Sequence, residues 1–169
     1  IRKDELMPKL IRSISNPTKP ETVGAASAPV LEVTESEVDL SKIPVPIHAP
    51  KDGGPYFSSA IVIANDPEYG RNCSFHRLMV IGKDRVAARI LKRHLDEYIG
   101  RAEGELPIAI VMGAPINVLL AAATSVEIGK DELAIASSLA PLRTVRLSNG
   151  IEVPADAEYV LEAKITSEL

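Results

Sequence analysis

The chain has 169 residues, 46% of them apolar and 25% charged, with a formal net charge of −4. That suffices for one domain with a small appendage, and scarce aromatics (4%, no Trp) leave Val, Ile, Leu and Ala to build its core. The acidic balance and the lack of a basic block exclude nucleic acid as the main partner, and no apolar run reaches the ~18–20 residues of a transmembrane segment.

Leu6, Leu10, Ile11 and Ile14 are spaced as in a short amphipathic helix within residues 1–15. Asn16-Pro17-Thr18-Lys19-Pro20 stops it. Residues 21–28 read as a linker closed by Pro29, so 1–29 form a helix and linker ahead of a domain over 30–169. Val30 to Val33 predict a short strand, and the prolines of 43–50 an extended, edge-like segment. After a Lys51–Pro55 turn, Tyr56 to Ala64 is rich in β-formers, and 65–70 closes a hairpin into a strand over Asn72–Ile81.

Gly82-Lys83-Asp84 turns the chain again, with Asp84 placed to cap a helix over 85–100. Val86, Ile90, Leu91, Leu95, Tyr98 and Ile99 form one apolar stripe there, and Gly100 sits at its C-cap. Pro107 to Met112 predicts a buried strand. An Ala- and Leu-rich helix through Ala123 and a shorter one over about 130–139 follow. Strand 142–147, a Ser148-Asn149-Gly150 hairpin turn, strand 151–153 and a last strand, 158–165, complete the order. Mixed order of this kind predicts an α+β fold, with a barrel or half-barrel favoured over a doubly wound sheet. Neither GxGxxG nor GxxxxGK[ST] occurs.

The densest chemistry lies in Arg71-Asn72-Cys73-Ser74-Phe75-His76-Arg77, where an amide, a hydroxyl, an imidazole and a guanidinium fall within six residues. Cys73 is the single cysteine, which excludes an internal disulfide and a multi-thiolate zinc site and fits a reducing cytoplasm. It has no evident base partner and reads as a small buried residue. The start at Ile1 and the end just after a strand predict a fragment of a longer chain.

Asp52-Gly53-Gly54-Pro55-Tyr56, the Asn72–Arg77 strand, Gly82-Lys83-Asp84-Arg85, the stretch from Arg89 to His94, Ser138-Leu139-Ala140 and Pro154 to Glu162 form an ordered series. Together they resemble the UbiD family of reversible decarboxylases that use prenylated FMN. The resemblance covers roughly residues 28–169. It implies a flavin-binding split β-barrel with inserted helices, incomplete at its C-terminus.

It also implies metal ligation by Asn72 and Glu162, joined in some members by His94, around a divalent ion that bridges to the cofactor phosphate. Mn²⁺ is the usual ion, with K⁺ as an optional companion; amide and carboxylate oxygens are hard donors that suit it. Phe75, His76, Arg77, Arg89, Ile90 and Leu91 would line the cofactor, and Arg77 would also hold the substrate carboxylate. The implied reaction passes through a covalent prenylated-FMN adduct of an aromatic or α,β-unsaturated acid, of polyprenyl-hydroxybenzoate or archaeal isoprenoid-precursor type. A carboxylic acid protonates the product after CO₂ leaves. The family's proton-donating glutamate lies beyond the Glu162 strand, so this chain alone is expected to be inactive. A flavin prenyltransferase as cofactor supplier and a homo-oligomeric, cytoplasmic enzyme belong to the same implication.

The residues alone leave plainer roles open. Asn72 follows a Tyr69-Gly70 turn and suits a turn position. Arg77 and Arg89 read equally as solvated charges, His94 as a surface histidine and His76 as a packed one. Glu162 alternates with Tyr159, Leu161, Ala163 and Ile165, so it could simply face water. Asn72 and Arg77, five apart, point to opposite faces of a regular strand, and both reach one ligand only through a bulge or a strand end. A rival function is a non-catalytic flavin- or nucleotide-binding subunit.

Overall fold

The computed structural model describes residues 2–166. Its strands are β1 (Glu21–Thr22), β2 (Tyr56–Phe57), β3 (Ile61–Asp66), β4 (Gly70–Phe75), β5 (Arg77–Val80), β6 (Val86–Arg89), β7 (Leu106–Met112), β8 (Arg143–Arg146), β9 (Glu152–Pro154) and β10 (Tyr159–Ile165). Its α-helices are α1 (Lys3–Ser15), α2 (His94–Arg101), α3 (Ile116–Ala122) and α4 (Glu132–Leu139). The fold is α+β, as expected. Among the described residues the strands form three sheets, β10-β7-β3-β4, β2-β5-β6 and β1-β8-β9, and no closed barrel.

The first sheet is the spine. Residues 61–64 of β3 and 108–112 of β7 are unbroken apolar runs because this sheet is covered on both faces, which removes the need for a polar alternate residue. Ile61, Ile63, Cys73, Ala109 and Val111 face a core shared with Val118 and Ala121 of α3, Leu133 and Ile135 of α4, and Val145 and Val153. Val62, Ala64, Ile108 and Ile110 face the other core with Phe57, Leu78, Leu95 and Tyr98. Leu10 and Ile14 of α1, and Val23, pack onto the first.

The polar segment 71–77 lies where the chain changes sheets. β4 pairs with β3 up to Phe75, and from Arg77 the chain pairs as β5 with β2 and β6. The strand expected over 72–81 is thus two strands broken at His76. The break answers the five-residue objection, because Asn72 and Arg77 belong to different sheets.

Three expectations fail locally. Residues 86–89 form no helix; they are a strand whose backbone groups are satisfied by β5, with Val80 opposite Val86 and Arg77 opposite Arg89. Asp84 lies in the hairpin turn, where Ile81 N donates to Arg85 O, and caps nothing. The helix begins only at His94, with Leu95 and Tyr98 buried, and Gly100 lies inside it. Leu91, counted in the stripe, is 55% exposed. Residues 29–31 form a 3-10 turn instead of a strand. The expected linker carries β1, which runs parallel to β8 with Glu21 N bonded to Leu142 O and Val23 N to Thr144 O.

Candidate functional site

A cleft of about 830 Å³ opens at the sheet junction, within the size range of small-ligand sites. Asn72, Phe75, His76 and Arg77 line it from β4 and β5, Arg89 and Leu91 from β6 and the segment after it, and His94 from the start of α2. Most of the expected site is therefore brought together. Ile90 does not line the cleft and packs against the second core.

Glu162 is placed elsewhere. It lies on β10 opposite Ala109, which pairs in turn with Ile63 and then Cys73. Residues in register share a face, so Glu162 sits three strands from Cys73 and on the face opposite Asn72. Its carboxylate accepts from Ser148 Oγ at 2.5 Å and from Asn149 N at 3.0 Å. It fastens the 148–149 turn, and the structure does not bring it to Asn72 and His94.

The carboxylate beside Asn72 is Glu132, which the sequence reading missed. Asn72 and Glu132 are each 3% exposed, and Asn72 Nδ2 donates to Glu132 Oε1 at 3.3 Å. β4 is an edge strand of its sheet, so Cys73 N has no ladder partner there and donates to Glu132 Oε2 at 2.9 Å. Glu132 is the first residue of α4, which Asp131 caps through Leu133 N and Ala134 N. An Asp-Glu pair opening an apolar helix reads as an ordinary helix start. Nothing local ties it to a residue sixty positions earlier.

Burial pushes the Glu132 carboxyl up to about 7; hydrogen bonds from its own backbone, Cys73 and Asn72 oppose the rise, and the charge of Asp131 adds to it. No cation among the described residues pairs with Glu132, since nearby Arg71 is engaged by Asp131 and Glu152. A buried carboxylate in that position gains from any cation that enters.

Ser74 Oγ links the next groups, donating to Asn72 Oδ1 at 3.0 Å and lying 2.9 Å from His76 Nε2. Burial lowers the His76 pKa, against a hydrogen bond that the ring donates to the Arg89 backbone and that favours its cation. Burial pushes the Cys73 thiol well up, and the Glu132 charge adds to it, so Cys73 is an inert core residue, as expected.

Arg77 and Arg89 lie directly opposite each other on neighbouring strands. Like charges so placed repel, and among the described residues neither has a carboxylate partner. Arg93, also at the cleft, likewise has none. Among the described residues no three His, Cys, Asp or Glu side chains converge, so a metal here would need the Asn72 amide. Arginine forks on one side and a buried amide–carboxylate pair on the other have the chemistry to hold a phosphorylated, metal-bridged ligand.

Comparison with known proteins gives that class a family. The model described as UbiD, 3-octaprenyl-4-hydroxybenzoate carboxy-lyase Rift-related domain, matches residues 21–169, and the chain belongs to this family. It is 40% identical over 171 residues to an anhydromevalonate phosphate decarboxylase of Methanothermobacter thermautotrophicus, covering 97% of this chain and 39% of that protein. It superposes with a TM-score of 0.91 and 44% identity on the UbiD-class enzyme HmfF from Pelotomaculum thermopropionicum in complex with prFMN, covering 95% of this chain and 40% of that one. On the vanillic acid decarboxylase of Sedimentibacter hydroxybenzoicus the TM-score is 0.90 at 30% identity, over 98% of this chain and 38% of that one. The chain thus spans about two fifths of each.

Proposed function

We propose that the chain is the cofactor-binding part of a reversible, non-oxidative decarboxylase that acts on an aromatic or α,β-unsaturated carboxylic acid with prenylated FMN. The observation that carries this reading is the meeting in one cleft of the buried Asn72–Glu132 pair with Arg77 and Arg89. Asn72 Oδ1, a Glu132 oxygen and a His94 ring nitrogen form the ligand set for Mn²⁺, with Glu132 in the place expected for Glu162. The donor set fits the ion: two hard oxygens and an imidazole, beside a carboxylate that lacks a cation. Arg89 would hold the cofactor phosphate, and Phe75, His76 and Leu91, which line the same cleft, would receive its ring system.

When bound, prenylated FMN supplies the electron sink that receives the pair left behind by CO₂. Arg77 holds the substrate carboxylate through parallel N–H bonds and so orients the C–C bond to be broken. Charge leaves that carboxylate as CO₂ departs. A grip at an exposed, water-weakened position therefore avoids over-stabilising the ground state. His76, with its pKa held down by burial, stays neutral and adds no charge to the cleft. A flavin prenyltransferase as supplier, K⁺ as a companion ion, a homo-oligomer and a cytoplasmic site fit the same reading.

The test uses the complete protein. Asn72→Ala should lose both Mn²⁺, read by elemental analysis, and flavin, read by absorbance, with an unchanged circular dichroism spectrum. Arg77→Ala should keep both and lose turnover. If Asn72→Ala retains wild-type occupancy of ion and flavin, the site assignment is wrong.

A further inference from the structure

Three successive residues of β4 meet the start of α4, namely its cap Asp131 and its first residue Glu132. Arg71 holds Asp131, Asn72 meets Glu132, and Cys73 N meets the other oxygen of Glu132. The outermost contact is the strongest in form. Arg71 Nε and one terminal nitrogen grip the two oxygens of Asp131 at 2.9 and 2.6 Å, a bidentate fork, while the other terminal nitrogen reaches Glu152 at 3.1 Å. The Arg71 side chain is only 13% exposed, so these bonds are little screened by water.

Asp131 in turn accepts from Leu133 N at 2.9 Å and Ala134 N at 3.3 Å and so sets where α4 begins. The fork therefore fixes the backbone from which Glu132 projects. It also sorts the charges. Arg71 and Arg146 balance Asp131 and Glu152, which leaves Glu132 as the uncompensated anion of the group.

We infer that Arg71 is a positioning residue for the metal centre: through its fork on Asp131 it places the Glu132 carboxylate beside Asn72 before any ion arrives. The inference rests on the reading of Asn72, Glu132 and His94 as ligands. It adds a residue that touches neither ion nor cofactor. Outer-shell partners of this type change metal affinity by about tenfold to a hundredfold. Lys in place of Arg71 keeps the charge but lacks the planar fork, so it should restore only part of the affinity.

The experiment is titration of Mn²⁺ into the metal-stripped complete protein, followed by the electron paramagnetic resonance signal of the free ion. Thermal unfolding is run on the same samples. Arg71→Met should weaken Mn²⁺ binding by about tenfold to a hundredfold, and Arg71→Lys should fall between. Glu152→Gln breaks the outward arm of the network and leaves the fork intact, so it should lower the melting temperature yet keep wild-type affinity. If Arg71→Met does not fold, Asp131→Asn serves instead, because Asn still caps the helix but offers Arg71 one acceptor in place of two. Wild-type affinity in the fork variants overturns the inference, as does an equal loss in Glu152→Gln, which would make the role merely structural. If Asn72→Ala binds Mn²⁺ as the wild type does, the ligand reading fails first and takes this inference with it.

Discussion

Glu132 offers the sharpest test, because its burial sets a sign opposite to that of most carboxylates. A carboxyl held at about 7 in the fold against an ordinary 4.5 binds its proton more tightly by ~3 kcal/mol, at about 1.36 kcal/mol per pH unit. Between those values the folded protein keeps the proton and the unfolded chain has released it. Stability from this group is therefore full below about 4.5 and is lost as pH rises through about 7. The perturbation is Glu132→Gln, which preserves an acceptor for Cys73 N and a polar neighbour for Asn72 without a titrating group.

In metal-free complete protein, the wild type minus Glu132→Gln stability difference should move against the wild type by ~3 kcal/mol between pH about 4 and about 8. Adding Mn²⁺ at a hundredfold over its dissociation constant returns about 2.7 kcal/mol, and only to the wild type. Urea unfolding followed by circular dichroism across that range measures both effects. A difference flat with pH, or an equal gain from Mn²⁺ in both proteins, refutes the reasoning that burial without a cation defines this site.

Two further outcomes follow from the surrounding structure. Glu162→Gln should leave flavin and Mn²⁺ occupancy at wild-type levels and cost about 1 kcal/mol, because its carboxylate fastens the 148–149 turn; loss of the ion in that variant would restore Glu162 to the site. Gly113 sits at φ +64°, and a Cβ there would lie 2.5 Å from Glu158 Cγ. Gly113→Ala should cost about 1–2 kcal/mol for the left-handed backbone alone, plus the clash. Adding Glu158→Gly, which also removes the Cβ lying 2.6 Å away, should recover only the clash, as thermal unfolding would show.

Much of this protein was legible along the chain. The apolar runs of β3 and β7, the Gly70 turn and the helices α1, α3 and α4 follow from short-range rules of burial, chain reversal and capping, which act within a few residues. The cluster Asn72, Phe75, His76 and Arg77 was visible for the same reason: its members are neighbours. Residues 86–91 misled because Val86, Ile90 and Leu91 satisfy a helical stripe, while the ladder to β5 satisfies the backbone of 86–89 more completely.

The partner of Asn72 was settled only by tertiary structure. Glu162 and Glu132 are equal as carboxylates in sequence. Strand register through β10, β7, β3 and β4 puts Glu162 three strands away on the face opposite Asn72, whereas the open edge of β4 draws the start of α4 and its Glu132 to the strand edge, within reach of Asn72. A one-residue change of register exchanges the faces of a strand. Which acid meets the amide is thus a property of how the sheet is assembled, and no local pattern encodes it.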